Sequence, residues 1–343
     1  MILGSGLLTA SGKTTLTLYT TRSGTFNPTI VASDTSGITW TWPDGSTYTG
    51  GTPSKALAGG TQTIRITFDD PTLVTELNFQ SQNMTGTWPL ASLAKFTALT
   101  RLQAYSNSAL NVTGSLADAP AGLTYLNLSG TSSVITGSLA DAPAGLTNLY
   151  LNSTFSNITG SLADAPAGLT YLYLSGTSSV ITGSLADAPA GLTYLNLSGT
   201  SSVITGSLAD APAGLTYLNL GGTFSNITGS LADAPAGLTY LYLGSTSSNI
   251  SGGATAMAAV GIREIRVDSS STTQANIDDI LMRLYTDRAS FTYATPVCNV
   301  GGTNPDPTGT YADATPPTTG LEYAYKLVVD PDAEGFKKWA ITY

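Results

Sequence analysis

The stretch GSLADAPAGLTYLNLSG, residues 114–130, decides the fold. Its first eleven residues recur unchanged from Gly114, Gly137, Gly160, Gly183, Gly206 and Gly229, always 23 positions apart. A period of this size marks a solenoid, in which each unit buries its apolar side against the next. Leu126 and Leu128 are two apart, so they share one face of a strand and line the core. With Leu123 they form L-x-x-L-x-L, and the pattern returns at Leu146, Leu149 and Leu151, at Leu169, Leu172 and Leu174, and on to Leu238, Leu241 and Leu243. Gly114 and its copies suit a turn where a Cβ would be unwelcome. Pro120 and its copies fix the backbone on the far side of the unit. The remaining residues leave little room for a helix, so that side is expected to be extended or to form short helical turns.

A 20–29-residue period carrying L-x-x-L-x-L is the sequence mark of leucine-rich repeats. Degenerate copies flank the array. Val74, Leu77 and Phe79 fit the strand pattern, as do Leu99, Leu102 and Ala104, and Ile262, Ile265 and Val267 close the series. This predicts about nine rungs over residues 72–268, six of them near-identical, with irregular ends that adapt to caps. The expected fold is therefore mainly β: a leucine-rich-repeat solenoid flanked by an N-terminal β-sandwich and a small α+β C-terminal cap.

Residues 1–71 read as an all-β, PKD/Ig-like domain. Thr-rich segments such as Thr14–Thr20 and Thr61–Phe68 alternate with Gly/Ser/Pro turns. Trp40 and Trp42 lie on one strand face before the turn Pro43-Asp44-Gly45, and this W-x-W-P-D-G run resembles the core motif of PKD-like β-sandwich domains. Residues 269–343 read as the α+β cap. Ser271 and Gln274 fit a capping box, and Ile277, Ile280, Leu281 and Leu284 follow helical spacing, so a helix is expected near 273–286. Phe336–Tyr343 is expected to form a closing strand. Cys298 has no partner cysteine and is expected to be a buried or semi-buried thiol.

Composition excludes several kinds of chemistry. The 343 residues hold 13 basic and 22 acidic side chains, a net charge of −9, with no His and one Cys. Ser-His-Asp and Cys-His nucleophiles, His-ligated or multi-Cys metal sites and intrachain disulfides are ruled out. A basic nucleic-acid footprint does not fit an isoelectric point near 4.3. No catalytic residue, cofactor or metal site is expected. The opening MILGSGLL lacks a basic n-region, and its apolar run is broken by Gly4, Ser5 and Gly6, so no secretory leader is expected. No window approaches the ~20 apolar residues that span a bilayer.

Charge within the array follows a pattern of its own. Between Arg101 and Arg263 the only charged residues are Asp118, Asp141, Asp164, Asp187, Asp210 and Asp233, one per repeat at the same position. Such a column could hold cations or could cap local backbone N–H groups before each proline turn. A hard cation needs several oxygens converging on one ion, which favours the caps.

On the strands themselves, the positions alternating with the core leucines are Tyr125 and Asn127, Asn148 and Tyr150, Tyr171 and Tyr173, Tyr194 and Asn196, Tyr217 and Asn219, and Tyr240 and Tyr242. They predict an uncharged, concave binding surface. Tyr and Asn combine apolar area with hydrogen bonding, which suits recognition of sugar or protein. Tyr is equally a good strand former that stacks on its neighbours.

Three motifs tempt and fail. Ser11-Gly12-Lys13-Thr14 resembles the end of a P-loop, but the spacing from Gly6 is wrong and no apolar strand precedes it. Asp278-Asp279 and the Asp330/Asp332 pair lack the across-cleft placement of acid–base catalysts and read as solvated surface groups. The eight N-x-S/T sequons, several on strand positions, read as by-products of the repeat.

Taken together, the W-x-W-P-D-G segment, the repeats ending in ITGSL, the TTQANIDDILMRL segment and GTNPDPTG resemble the leucine-rich-repeat proteins of phage and prophage tails. An insertion, roughly Tyr311–Glu334, departs from that pattern. The resemblance implies a non-enzymatic structural protein of a phage virion, tail-associated or decorating the particle. Its partners would be other virion proteins, copies of itself in a homo-oligomeric assembly, or a host surface polysaccharide, with no nucleic acid and no membrane insertion. The alternative is a cell-surface adhesin or glycan-binding leucine-rich-repeat protein.

Overall fold

The computed structural model describes residues 12–292, 296–314, 316–329 and 339–343. The residues behind the leader reading and the start of the expected closing strand, Phe336 to Lys338, lie outside them. The chain divides into two compact units, Met1–Gly160 with Tyr173–Ser179, and Ser161–Leu172 with Val180–Tyr343.

In the first unit, strands Asn148–Tyr150, Tyr125–Asn127, Arg101–Gln103 and Val74–Asn78 lie side by side in parallel, and Thr29–Ala32 adds antiparallel to the last of them. A second sheet runs Val134–Thr136, Ala109–Ser115, Met84–Pro89, Thr14–Thr20, Gln62–Phe68, Ile38–Thr41, Thr47–Thr49. The N-terminal strands therefore hydrogen-bond directly onto the first rungs. This covers the open sheet edge that the first repeat would otherwise present. Trp40 and Trp42 stack at 5.9 Å with Phe26 edge-on to both, and all three are buried. The Asp44 turn accepts the Ser46 N–H and is pinned by Lys55 at 2.7 Å, which holds its carboxyl well below the usual range.

In the second unit, Tyr194–Asn196, Tyr217–Asn219, Tyr240–Tyr242, Glu264–Arg266, Val297–Asn299 and Ala340–Thr342 form one parallel ladder. The last two strands extend the ladder past the rung expected to be final. Val180–Ser184, Val203–Ser207 and Asn226–Thr228 form a second parallel sheet. The leucines of L-x-x-L-x-L are fully buried in both units, for example Leu126, Leu128, Leu172 and Leu195 at 0% exposure. Each contributes about 1.5–3 kcal/mol by leaving water.

The far side of each repeat is a single 3-10 turn, as the short period requires. Ser115, Ser138, Ser161, Ser184 and Ser207 are the N-caps, and Asp118, Asp141, Asp164, Asp187 and Asp210 close capping boxes by accepting the serine N–H. At Ser230 the arrangement loosens, and the hydroxyl itself donates to Asp233 at 2.7 Å. Each glycine before these turns has a specific reason. Gly206 has φ +104°, and a Cβ there would fall 2.5 Å from the Ser184 Oγ.

The repeats also solve the problem of buried backbone polar groups. In the first rungs one amide does so: Asn107 accepts the Gln82 and Met84 N–H groups and donates to the Phe79 and Ala104 carbonyls. In the identical copies two hydroxyls share that role. Thr200 Oγ1 donates to the Leu197 carbonyl at 2.6 Å, while Ser202 Oγ, 2.8 Å from Thr200 Oγ1, accepts the Ile181 N–H.

At the C-terminal end, α1 spans Gln274–Thr286, as its apolar spacing predicts. Its cap is Thr273, accepting the Asn276 N–H, and not the expected Ser271–Gln274 box. Asp278 and Asp279, expected to be solvated, are braces. Asp278 accepts from the Thr308 N–H and hydroxyl, and Asp279 from the Gly252 and Gly253 N–H groups. The insertion contains a second helix, α2 (Gly320–Val328), with a Thr319/Glu322 capping box. The Thr318 N–H first, with the Thr318 hydroxyl and the Thr319 N–H, holds the Glu322 carboxyl below its ordinary range.

Candidate functional site

All the tyrosines proposed from sequence lie on the ladder strands and are half-buried. In the second unit the ladder pairs each tyrosine with its copy 23 residues on, so Tyr194 faces Tyr217 and Tyr217 faces Tyr240. The rings consequently stack. Tyr171 and Tyr194 lie 3.9 Å apart with planes 8° apart, and Tyr194 and Tyr217 lie 4.3 Å apart at 9°. Tyr217 and Tyr240 are tilted at 5.4 Å, as are Tyr125 and Tyr150 in the first unit. Ring faces are thus spent on neighbouring rungs. Tyr173 occupies the outer position of its strand in the same way.

The asparagines behave differently from expectation. Asn127 and Asn196 are buried, at 9% and 4% exposure. Each turns its carboxamide back to accept the N–H two residues on, from Ser129 and Ser198. Asn219 does the same with Gly221 but stays half-buried, and Asn148 accepts the Thr147 hydroxyl. At Asn127, Asn196 and Asn219 these are local turns that end the strand, so the recognition surface is chiefly tyrosine.

Charged residues that sequence reasoning passed over close the stripe. In the first unit the Arg101 guanidinium sits 4.1 Å over the Tyr125 ring and is held by Glu76, which also accepts from Gln103. In the second unit the Tyr242 hydroxyl donates to Glu264 at 2.6 Å, and Glu264 also binds Arg266 at 2.5 Å. Burial first, then Glu264, pushes the Tyr242 phenol above its ordinary range. The signal was available: these residues sit at or just beyond the two ends of the run that lacks Lys and Arg. Beside this second cluster lies a cleft of about 380 Å³ lined by Asn219, Gly221, Tyr242, Gly244, Arg266 and Asp268, among others.

Other sequence candidates resolve into structural roles. The Asp column serves the capping boxes described above. Lys13 of the P-loop-like run is bridged to Asp69 at 2.8 Å. Cys298 is fully buried in the ladder, and burial raises its thiol to about 12, so it is protonated and inert. Among the described residues no cluster of His, Cys, Asp and Glu could hold a metal ion, and no helix is long and apolar enough to cross a membrane.

No family model matches the chain, and no curated protein matches it. Among solved structures it is similar to the plant peptide hormone receptor RGFR1 in complex with RGF2, at 13% identity over 69% of this chain and 40% of that one, TM-score 0.43. It is also similar to the Arabidopsis receptor kinase HAESA in complex with the peptide hormone IDA and the co-receptor SERK1, at 16% identity over 64% and 44%, TM-score 0.38. A third is PEPR1–AtPEP1, at 16% identity over 69% and 40%, TM-score 0.36. The chain spans about two fifths of the length of these receptor chains. The class rests on the molecule's own geometry: parallel strands repeating every 23 residues, buried L-x-x-L-x-L leucines, and an inward polar column that begins with Asn107. This is a leucine-rich-repeat architecture.

Proposed function

We propose that this chain is a non-enzymatic interaction protein of a phage virion, tail-associated or decorating the particle, that presents a repeating uncharged surface. Three parts serve that role: an N-terminal PKD-like β-sandwich (1–71), the repeat array (72–268) and an α+β cap (269–343). The observation that carries the reading is the tyrosine stack, in which the half-buried rings of Tyr171, Tyr194 and Tyr217 repeat at rung spacing. A partner with its own repeat, such as a hydroxyl-rich host polysaccharide or neighbouring copies in an assembly, can meet many such contacts. Linked weak contacts gain roughly 10²–10⁴ in avidity. The virion placement is supported by the cap, where Asp278 of α1 binds Thr308 and joins the two segments that resemble phage-tail proteins. The glycan-binding adhesin remains the second reading, favoured by the polar cleft beside Arg266.

The test compares Tyr171→Ala alone with Ala at Tyr171, Tyr194, Tyr217 and Tyr240 together. Binding to host envelope fractions and incorporation into particles are measured for both. The single variant is expected to retain both, and the folded quadruple variant to lose at least one. A folded quadruple variant that matches wild type in both assays removes the tyrosine stripe as the working surface.

A further inference from the structure

In the repeats, the residue after the third leucine is polar: Ser129, Asn152, Ser175 and Ser198. At the C-terminal end of the array this changes to Gly221 and Gly244, and then to Asp268. The cleft of about 380 Å³ opens at these positions. Near-identical copies make the departure informative, because the unit's own preference is known.

The change frees hydrogen-bonding capacity. Asn196 Oδ1 takes both the N–H and the hydroxyl of Ser198. Asn219 Oδ1 takes only the Gly221 N–H, and its residue is half-buried where Asn196 is buried. The Asp268 Oδ1 has no hydrogen-bond partner among the described residues, although buried carboxylate oxygens are normally paired. The Arg266 guanidinium, half-exposed, is fixed by Glu264 so that it borders the same cleft, and the Tyr242 ring lies 5.5 Å from it. An aromatic wall, a carboxylate, a carboxamide and a fixed guanidinium thus border one cleft within the size range of small-molecule sites.

Charge narrows the ligand. Glu264 already neutralises Arg266, so Asp268 leaves the cleft's lining net negative, in a chain whose net charge is itself −9. An anionic ligand would meet repulsion. A neutral ring carrying several adjacent hydroxyls can donate to Asn219 and, beside its buried Oδ1, to the half-buried Asp268 carboxylate, accept from Arg266, and pack its C–H groups against Tyr242.

We propose that this cleft is a saccharide subsite for a neutral hexopyranose unit, set at one end of the tyrosine stripe. The proposal rests on the polysaccharide reading of that stripe. The subsite would fix one sugar by directed hydrogen bonds, while the stripe contacts the following units less specifically.

The decisive variant is Gly221→Ser, which restores the array's own residue. Gly221 is not among the positive-φ glycines, and a Cβ there would stand 3.3 Å from Asn219 Oδ1, a side-chain atom that must give by a few tenths of an ångström, and 3.5 Å from the Gly244 carbonyl. Its hydroxyl would recapture Asn219 and narrow the cleft. Titration calorimetry of the full chain with neutral hexasaccharides of glucose, galactose, mannose and N-acetylglucosamine, and with oligogalacturonate, gives the readout. Saturable one-to-one binding of at least one neutral sugar is expected, lost in Gly221→Ser and Arg266→Gln and retained in Tyr194→Ala. Absence of binding to every neutral sugar overturns the subsite, as does tighter binding of oligogalacturonate or unchanged binding in Gly221→Ser. Envelope binding lost in the quadruple tyrosine variant but kept in Gly221→Ser removes the subsite and leaves the stripe. The reverse pattern removes the stripe and leaves the subsite.

Discussion

The same 23-residue unit meets its copies in different registers on its two sheets. On the tyrosine ladder of the second unit the offset equals the repeat, so Tyr194 faces Tyr217 and Leu195 faces Leu218. On the threonine sheet the offset is two residues shorter, so Thr182 faces Val203 and Thr205 faces Asn226. A shift of two preserves which residues point inward, since strand side chains alternate with period two. It does change who stands beside whom. Near-identical copies therefore build a stack of like on like on one sheet only. On the other, Thr and Val or Asn alternate as short, exposed neighbours, with Val180 and Val203 at 37% and 38% exposure.

Both sheets share one core, and the largest effect breaks it. Leu172→Asp buries an unpaired charge at a site with 0% exposure, a cost of several kcal/mol that is comparable with a domain's whole stability. Circular dichroism and limited proteolysis are expected to show an unfolded array. A soluble, protease-resistant variant would contradict the register.

The inward polar columns come next. Asn107→Ala strands two buried N–H groups, those of Gln82 and Met84, at about 1–3 kcal/mol each, and takes the side-chain donor from the Phe79 and Ala104 carbonyls. Ser202→Ala strands only the Ile181 N–H, so half that loss or less is expected. Urea denaturation of the two variants checks the ratio.

The stacked rings should matter less. Tyr194→Ala removes two ring contacts at about 0.5–1.5 kcal/mol each, besides the area it buries. Thr205→Ala on the other sheet, an exposed site, should stay within ~0.5 kcal/mol. Equal losses in the two variants would show that register does not decide the energetics of the faces.

The caps contribute through single hydrogen bonds. Ser207→Ala should cost about 1 kcal/mol by removing the hydroxyl that accepts the Ala209 N–H. Since the Asp column is committed to these boxes, thermal melts in calcium and in chelator should coincide. A calcium-dependent rise in Tm would give Asp118 through Asp233 a second role by mass action.

Much of the fold was legible because the repeat states its own period. The leucines, the α1 spacing, the strands Thr14–Thr20 and Gln62–Phe68 and the short far-side turns all follow from local pattern. The tyrosine positions were legible too, because alternation fixes the face. Their loss of free ring faces was not, since stacking depends on inter-rung register. Nor was the burial of Asn127 and Asn196, which follows from a carboxamide folding back on its own turn. Strand Val297–Asn299 was missed because it carries no L-x-x-L-x-L and joins the ladder only through pairing, and the closing strand, seen at Ala340–Thr342, was legible as a strand but not as a further rung of that ladder.

By itself the sequence determined the repeat length, which residues face the core, and the absence of His-based chemistry, because these follow from composition and from the periods of strands and turns. Only the tertiary structure decided that the N-terminal strands close the first rungs, that like residues stack on one sheet but not the other, and that the cleft at Gly221, Gly244 and Asp268 leaves an acceptor unpaired. Those outcomes depend on which distant segments come within hydrogen-bond or van der Waals reach, and that distance is set by packing, not by local pattern.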